Sequence, residues 1–246
     1  MIMNDLDFSG KRVLVVGGSS GIGNGIAHGF RARGAEVHVW GTRASADDYS
    51  AEEGSDLQGL YYAKVNVADY DELNAYEAPF DGLDVLVQSQ GFVRYKQAEY
   101  AKPGWDEVMD ININSVMHTA TKFKPMLSQA KGSIVIISSI AGMMANLGNP
   151  AYAASKAAAV SLTKTLGQAW ARDGIRVNGL APGLVPTKLT TVTTLNKERA
   201  EASLRSIPLR RVGTPEEMAG AAMFLASPLA SYVQGHTLIV DGGLSL

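Results

Sequence analysis

Short apolar runs alternate with longer segments of helical character along most of this chain, and this alternation limits the fold more than any other feature. The first run, 13–16, contains only Val and Leu, which is typical of a strand buried on both faces of a sheet. Strands that alternate with helices favour a parallel sheet covered by helices on both sides. The sequence therefore predicts an α/β fold with one doubly wound sheet of about seven parallel strands. The predicted strands are 13–16, 37–40, 60–67, 85–87, 134–137, 176–180 and 236–240.

The helical segments carry recognisable start and stop signals. Gly34 follows the first helix at a position suited to left-handed backbone, and Thr214-Pro215-Glu216-Glu217 has the pattern of a capping box. The polar stretch 44–59 has no clear period and is predicted to be a loop with at most one helical turn. No repeat or linker divides the chain, so a single domain over 1–246 is expected. Helices are predicted from the end of the first strand to Arg33, over 70–78 and 105–127, around Tyr152 and Lys156, around 197–204 and from Thr214.

The composition excludes several classes of function. The 246 residues are 46% hydrophobic and 19% charged, which is typical of a globular protein. A net charge of −2 gives no electrostatic reason to expect nucleic acid or an anionic membrane as a partner. The lack of cysteine excludes disulfides and thiolate metal sites, and the four histidines show no ligand spacing, so no metal is expected. No leader is recognised in 1–8 and no apolar run approaches membrane-spanning length, so a cytoplasmic protein is expected.

Three glycines, Gly17, Gly21 and Gly23, lie between the first strand and the first helix. Glycines there allow a tight turn and let a pyrophosphate approach the amides at a helix N-terminus. No Lys-Ser or Lys-Thr follows, which argues against a P-loop nucleotidase. A glycine-rich turn alone is a weak indication, because many tight turns need glycine. It gains weight from the residues downstream.

Tyr152 and Lys156 lie four residues apart in an alanine-rich segment, which places them one turn apart on the same face of a helix. A cation beside a phenol can lower the phenol pKa from its ordinary value of about 10, so the pair is a candidate proton donor. Ser139 follows the run 134–137 and is expected at the C-terminal end of a strand, where open α/β sheets bind their ligands. A Tyr–Lys pair by itself can equally be an ordinary surface contact. The glycine-rich turn upstream favours the catalytic interpretation.

The chain resembles the short-chain dehydrogenase/reductase family over nearly its whole length, which implies a Rossmann-type dinucleotide-binding fold. Asn112, inside the predicted helix 105–127, matches the position of the family's fourth catalytic residue. The C-terminal part resembles the 3-oxoacyl-(acyl carrier protein) reductase branch, which also contains reductases with other substrates. The motifs that carry the resemblance are the glycine turn, Ser139, Tyr152, Lys156, Pro182-Gly183 after Asn178, Pro208-Leu209, the capping box at Thr214, Gly235 and Asp241-Gly242-Gly243.

The resemblance implies a role for each catalytic residue. Tyr152 would exchange the proton at the substrate oxygen, and Lys156 would lower its pKa and hold the nicotinamide ribose. Ser139 would hydrogen-bond the same oxygen, and Asn112 would hold a water that leads protons to Lys156. Hydride comes from the cofactor, so the protein supplies orientation and electrostatics. The residues implied in cofactor binding are Gly17, Ser19, Ser20, Gly21, Ile22, Gly23, Gly41, Thr42, Arg43, Asn66, Val67, Gln90, Gly91, Pro182, Gly183, Val185 and Thr187, together with Tyr152 and Lys156.

The sequence departs from the family pattern at three places. Val16 replaces the threonine that usually precedes the first turn glycine, and Asn66 replaces the aspartate that usually meets the adenine. Its amide oxygen can still accept a hydrogen bond. The usual Asn-Asn-Ala-Gly after the fourth strand reads Gln88-Ser89-Gln90-Gly91. All three differences concern the scaffold or the cofactor, and none concerns Tyr152 or Lys156.

The end of the second strand bears on the choice of cofactor. An enzyme selective for NAD places an acid there to bind the ribose 2′-hydroxyl, whereas this chain continues Gly41-Thr42-Arg43. The nearest acids in the sequence are Glu36 and Asp47, so nothing negative is expected to repel a 2′-phosphate. Arg43 and Thr42 could bind that phosphate. Ser20 occupies a turn position where NADP-preferring relatives often carry a second basic residue. NADP(H) is predicted as the preferred cofactor, with NAD(H) as the alternative, and an aspartate at Gly41 is expected to shift preference towards NAD.

The sequence thus predicts an NAD(P)-dependent oxidoreductase that interconverts a ketone and a secondary alcohol, with 3-oxoacyl reduction as one option. The alternatives are a sugar or alcohol dehydrogenase using NAD, a catalytically silent dinucleotide-binding regulator, and a pure interaction scaffold. The segment 189–211 is predicted to be a substrate lid. A small-molecule substrate and a homotetramer are the expected partners. The substrate pocket is expected to include Phe92, Arg94, Met143, Met144 and Asn146.

Overall fold

The computed structural model describes residues 6–246. The prediction that 1–8 contain no leader therefore falls largely on residues outside the described range. The strands are β1 Arg12–Val16, β2 Glu36–Gly41, β3 Tyr61–Lys64, β4 Val85–Gln88, β5 Ser133–Ile137, β6 Arg176–Pro182 and β7 Thr237–Val240. They form one seven-stranded sheet in the order β3-β2-β1-β4-β5-β6-β7, and every neighbouring pair is parallel. The predicted doubly wound α/β fold is confirmed.

The helices occupy the connections between the strands. They are α1 Gly21–Arg31, α2 Tyr70–Ala75, α3 Lys102–Met109, α4 Ser115–Ala130, α5 Pro150–Trp170, α6 Thr191–Thr194, α7 Lys197–Ser206 and α8 Pro215–Ala226. Gly34 has φ +87°, as expected for the residue that ends the first helical segment. The capping box at the start of α8 is present, with Thr214 and Glu217 hydrogen-bonding each other's main chain.

Several predicted boundaries differ from the structure, and three of these differences have a local reason. The third strand stops at Lys64 rather than 67, because the Asn66 amide accepts the N–H of Ala68 and turns the chain. Helix α2 stops at Ala75, because Tyr76 is extended and Pro79 follows. The predicted unbroken helix 105–127 is interrupted by a π-helical turn, Asp110–Asn114, which separates α3 from α4. Such turns are frequent at functional sites.

Two apolar layers hold the helices to the sheet. Val13 and Val15 face the layer that includes Phe30 of α1, whereas Leu14 and Val16 face the layer that includes Phe123 of α4. This alternation follows from the two-residue period of a strand. Each large apolar side chain buried in this way contributes about 1.5–3 kcal/mol to folding.

The strand order fixes where a ligand can bind. The chain runs outward in one direction from β1 to β3 and in the other from β4 to β7, so the order reverses between β1 and β4. In open α/β sheets a crevice opens at such a reversal, beyond the carboxyl ends of the strands. Within residues 6–246, no helix combines the length and the apolar character needed to cross a bilayer.

Candidate active site

A cleft of about 520 Å³ opens at the carboxyl edge of the sheet, at the reversal of strand order. Most of the predicted site residues line it. They are Gly17, Ser19, Ser20, Gly21, Ile22, Gly23, Gly41, Thr42, Val67, Gln90, Gly91, Ser139, Tyr152, Lys156, Pro182, Gly183, Val185 and Thr187. The glycine-rich turn and the Ser–Tyr–Lys set therefore face a common space, although they are more than one hundred residues apart in the sequence.

The turn between β1 and α1 keeps its main chain open towards the cleft. Gly17 and Gly21 have φ values of +73° and +56°, a region that favours glycine. A Cβ on Gly17 would lie 2.8 Å from the main chain of Gln90, and a Cβ on Gly23 would lie 2.2 Å from the Gly17 carbonyl oxygen. These positions exclude side chains and leave a cradle beside the N-terminus of α1. Such a cradle fits the pyrophosphate of a dinucleotide.

The segment after β4 supplies the middle of the cleft. The Gln90 side chain is 4% exposed, and its Nε2 donates to Ser115 Oγ at 3.0 Å. Its Oε1 is buried and has no hydrogen-bond partner within residues 6–246. An unpaired buried acceptor beside a glycine cradle is consistent with a polar ligand in the cleft. The unusual Gln88-Ser89-Gln90 sequence thus retains a hydrogen-bonding side chain at this point.

The end of β2 differs from what the sequence led us to expect. Nothing negative was expected here to repel a 2′-phosphate, but the carboxylate of Glu52 is present and pairs with the Arg43 guanidinium. The same guanidinium stacks on Tyr49 at 4.4 Å from the ring centroid. Arg43 does not line the cleft. Glu52 also pairs with Lys188, which does line it. Glu52 belongs to a polar loop without periodicity, so no sequence pattern could have indicated this contact.

The charges around Glu52 act on its ionisation. Burial alone would raise the pKa of this carboxyl, but a hydrogen bond from Lys188, one from Ser55 and the charges of Lys188 and Arg43 lower it below its ordinary value. The carboxylate is therefore charged at neutral pH. It links the β2 end of the cleft to the segment after β6.

Asn66 was predicted to meet the adenine, but its side chain does not line the cleft. Its Oδ1 accepts the N–H of Ala68 at 3.2 Å, and its own N–H donates to Glu72 at 2.7 Å. The neighbouring Val65 and Val67 line the cleft instead. Asn66 shapes the turn after β3, and an apolar wall takes its place at the cleft.

Ser139, Tyr152 and Lys156 come together from β5 and α5. Ser139 follows the end of β5, and its Oγ accepts the N–H of Ala141 at 3.1 Å. Lys156 is 4% exposed, and its Nζ donates to the Ile137 carbonyl at 2.9 Å. The Nζ lies 5.7 Å from the centroid of the Tyr152 ring. The expected arrangement of one hydroxyl, one phenol and one amine on a cleft wall is present.

The predicted depression of the Tyr152 pKa by Lys156 is not found in this structure. Burial raises the pKa of Tyr152, the Ser139 hydroxyl lowers it, and the charges of Tyr95 and Glu99 raise it further. Burial also lowers the pKa of Lys156 to about 8. The ammonium is drawn to the Ile137 carbonyl rather than to the phenol. The phenol is accordingly a proton donor at neutral pH.

Asn112 lies behind the cleft wall in the π-helical turn and is 1% exposed. Its Oδ1 accepts the N–H of Phe92 at 2.7 Å, and its Nδ2 donates to the Phe92 carbonyl at 2.9 Å and to Ser155 Oγ at 3.0 Å. The side chain therefore joins the segment after β4 to α5. It makes no direct hydrogen bond to Lys156 in the structure.

The segment after β6 closes the far side of the cleft. Thr187 packs against the glycine turn, with its Cγ2 3.0 Å from where a Cβ on Gly21 would stand. The N–H of Thr187 donates to Thr190 Oγ1 at 2.9 Å, which starts the next helical turn. Of the expected substrate-pocket residues, only Phe92 lines this cleft. Lining residues that the sequence did not indicate include Ile111, Ser138 and Lys188, whereas Thr190 belongs to the predicted lid 189–211.

Two kinds of comparison relate the chain to known proteins. A family model described as enoyl-(acyl carrier protein) reductase matches residues 16–245. The 3-oxoacyl-[acyl-carrier-protein] reductase FabG of Chlamydia pneumoniae is 37% identical over 98% of this chain and 99% of its own length. The gluconate 5-dehydrogenase of Gluconobacter oxydans (strain 621H) is 35% identical over 97% of this chain and 96% of its own length.

Solved structures of similar proteins contain a dinucleotide. Pseudomonas aeruginosa RhlG, in an active-site complex with NADP, superposes with a TM-score of 0.89 at 30% identity and covers 100% of both chains. A gluconate 5-dehydrogenase of Burkholderia cenocepacia J2315, in complex with NADP and tartrate, gives a TM-score of 0.89 at 30% identity, covering 100% of this chain and 99% of its own. These similarities extend along the whole length of the chain. Together with the family match, they show that this chain belongs to the short-chain dehydrogenase/reductase family of NAD(P)-dependent oxidoreductases.

Proposed function

We propose that this enzyme reduces a ketone to a secondary alcohol, and catalyses the reverse reaction, through Ser139, Tyr152 and Lys156. The observation that carries the proposal is that these three side chains and the glycine cradle line the same cleft. A nicotinamide bound along that cleft would supply or accept the hydride. The protein must then hold the substrate oxygen and move one proton to or from it.

The side chains can divide this task. Tyr152 gives the proton to the substrate oxygen, since burial keeps the phenol protonated at neutral pH. Ser139 donates a hydrogen bond to the same oxygen and polarises the carbonyl. Lys156 is a buried amine with a low pKa, beside the phenol, and it can return a proton to Tyr152 after turnover. Asn112 keeps the wall formed by Phe92 in place through two hydrogen bonds.

We propose NADP(H) as the preferred cofactor and NAD(H) as a weaker alternative. Two solved relatives are complexes with NADP, and β2 ends in Gly41-Thr42-Arg43 without an acid. Arg43 and Lys188 are both within reach of Glu52, so two cations flank this end of the cleft. A 2′-phosphate can compete with the Glu52 carboxylate for them. The remaining cofactor residues keep the roles that the family resemblance implies.

A 3-oxoacyl thioester is the first candidate for the substrate. FabG relatives are named for this reaction, and the segments after Ser139 and after Leu189 expose Met143, Met144 and Leu195. The Arg94 guanidinium is paired with Glu107 at 2.7 Å and does not line the cleft, so it gives no support for a substrate carboxylate. Relatives named gluconate 5-dehydrogenase make a polyhydroxy acid the second candidate.

We further propose that 189–211 is a substrate lid and that the enzyme is a homotetramer. The lid segment contains the short helices α6 and α7 and no buried residue in either. For assembly, α5 exposes the small side chains Ala157, Ser161 and Thr165 at four-residue spacing, and the edge strand β7 exposes Ile239. Light scattering at micromolar concentration tests the tetramer, and a monomeric mass contradicts it. Cytoplasmic location stays a sequence-based prediction.

A substrate and cofactor panel tests the proposed function. Purified enzyme is assayed with a short 3-oxoacyl thioester, a simple ketone and 5-ketogluconate, each with NADPH and NADH. The expected result is turnover of the thioester with a higher kcat/KM for NADPH. Turnover of 5-ketogluconate alone establishes the second candidate instead. A chain that binds dinucleotide but reduces none of these carbonyl compounds contradicts the proposal and supports a regulatory role.

A further inference from the structure

One buried carboxylate close to Tyr152 has no part in the mechanism described so far. Glu99 is 0% exposed, although a glutamate is rarely buried without a partner of opposite charge. No ion pair involves it among the described residues 6–246. Its two oxygens instead accept three N–H groups. Oε1 accepts the N–H of Arg94 at 3.0 Å and Nδ2 of Asn149 at 3.3 Å, and Oε2 accepts the N–H of Tyr152 at 2.9 Å.

The bond to Tyr152 caps helix α5 from a distant part of the chain. Tyr152 is the third residue of α5, so its N–H has no acceptor within the helix. In most α-helices, the side chain of the N-cap residue accepts the N–H of the second or third helical residue. The N-cap residue here, Asn149, makes no such bond and turns its amide towards Arg94 and Glu99. Glu99, 53 residues upstream of Tyr152, takes over the role.

The main chain just before Glu99 has an unfavourable conformation, and this turn directs the Glu99 side chain into the interior. Lys96 and Gln97 are consecutive non-glycine residues with φ values of +57° and +61°. Two such residues in succession cost conformational free energy and persist only where the surroundings enforce them. The turn is also packed tightly, since a Cβ on Gly104 of α3 would lie 2.2 Å from the Ala98 carbonyl oxygen. The carboxylate that accepts the N–H of Tyr152 is therefore held in place by a turn with a strained main chain.

We propose that Glu99 is a positioning residue for the reaction, which caps α5 in trans and fixes Tyr152 relative to the loop that carries Phe92 and Arg94. Both oxygens face N–H donors, so the position needs an acceptor-only group. A glutamine of the same shape would present an NH₂ group to at least one of those donors. The loop reaches further, because the hydroxyl of Tyr95 donates to the Leu189 carbonyl at the start of the segment 189–211. The proposal rests on Tyr152 acting as the acid/base of the proposed function.

The charge of Glu99 also acts on the phenol. Burial is the largest influence that raises the pKa of Tyr152, and the charge of Glu99 acts in the same direction. Neutralising Glu99 should therefore lower that pKa. The other titratable or charged groups around the phenol are Lys156 on α5 and Tyr95 on the loop after β4. Both are unchanged in a variant at position 99.

The test compares two helix-capping carboxylates, one on the catalytic helix and one elsewhere. Glu99→Gln is the test variant, and Asp69→Asn, at the N-cap of α2 and outside the cleft lining, is the matched control. In Glu99→Gln, kcat for alcohol oxidation should fall about tenfold. The pH of half-maximal oxidation should move to a lower value, while the Kd for NADPH by fluorescence titration stays the same. In Asp69→Asn, kcat and the half-maximal pH should both match wild type.

The pH profile of Glu99→Gln decides whether Glu99 acts on the reaction or only on the structure. A folded Glu99→Gln with an unmoved half-maximal pH, whatever its rate, leaves Glu99 with a purely structural role and overturns the proposal. If Glu99→Gln does not fold, Asn149→Ala removes one donor from Oε1, and its kcat should fall about threefold. A wild-type kcat in Asn149→Ala then overturns the proposal. If the wild-type enzyme turns over no alcohol or carbonyl compound, the proposed function itself has failed, which is a different result from normal turnover in Glu99→Gln.

Discussion

Glu99 and Glu52 are carboxylates that each contact a residue lining the cleft, Tyr152 and Lys188 respectively, and they are held in different ways. Glu99 is fully buried and accepts three neutral N–H groups at fixed positions. Glu52 keeps 13% of its side chain exposed and accepts from the flexible cations Arg43 and Lys188. The first arrangement determines geometry, because its donors are main-chain or short amide groups. The second arrangement is held by electrostatic attraction between Glu52 and two cations, which salt and charged ligands can weaken. Substitutions at the catalytic end should therefore alter rate. Those at the β2 end beside Arg43 and Lys188, where the adenosine of the cofactor is proposed to bind (the adenosine end), should alter cofactor affinity.

The largest effect is expected at the catalytic end, from Tyr152→Phe. The substitution removes the transferable proton but leaves the ring, so kcat should fall by about 10²–10⁴-fold. The Kd for NADPH should change by no more than about twofold, since the cleft keeps its shape. Steady-state rates and fluorescence titration measure the two quantities. Retention of more than about a tenth of the wild-type rate, less than about 1.4 kcal/mol of barrier, contradicts the assignment of Tyr152.

The pH profile should show the second effect. Burial lowers the pKa of Lys156 to about 8, so the side chain loses its charge as the pH rises through that value. The pH profile of carbonyl reduction should therefore have a descending limb, along which the rate falls by about tenfold for each pH unit above that pKa. Lys156→Arg keeps its charge at every accessible pH, so its profile should lack this limb even if the variant is slower. A limb that persists in Lys156→Arg belongs to another group.

The same comparison shows what the sequence could predict. The seven strands follow from apolar runs of the right length. Ser139, Tyr152 and Lys156 were indicated by their spacing together with the glycine-rich turn and the family resemblance. Glu99 could not be found in this way, because its bond to Tyr152 joins residues 53 positions apart and depends on two residues with positive φ. The position of Glu52 depends on the folding of a loop that has no period. The direction of the Tyr152 pKa shift was also predicted wrongly, since spacing does not indicate how deeply a phenol is buried.

The adenosine end should give smaller effects, and Arg43→Ala the larger of them. Removing the guanidinium should weaken NADPH binding by about tenfold and leave NADH nearly unchanged, because a bond from arginine to a phosphate is charge-assisted. Arg33→Ala, at an exposed position, serves as the control. Equal losses for both cofactors contradict a role for Arg43 at the 2′-phosphate. Gly41→Asp is a poorer probe than the sequence suggested, since a Cβ there would lie 2.7 Å from the Tyr49 hydroxyl.

The smallest effect is expected from Glu52→Gln. In the wild type, the Glu52 carboxylate competes with the 2′-phosphate for Arg43 and Lys188. The variant lacks this charge, so NADPH should bind about threefold more tightly. The gain should shrink as the ionic strength rises, whereas the Tyr152→Phe defect should not depend on salt. Titrations at low and high salt measure both. A specific loss of NADH affinity in Glu52→Gln would instead identify this carboxylate as a ligand of the ribose 2′-hydroxyl.

The hydrogen bonds of Asn112 have a consequence for how such an enzyme can acquire new substrates. By joining Phe92 to Ser155, Asn112 makes one wall of the cleft part of the rigid scaffold. Substitutions in that wall should disturb the reaction itself, so laboratory selection should have little freedom there. Leu147 and Leu195 are 93% and 82% exposed, on segments that the scaffold does not constrain in this way. A mutagenesis library aimed at a different ketone should therefore concentrate on 143–147 and 191–206, and leave 90–112 unchanged.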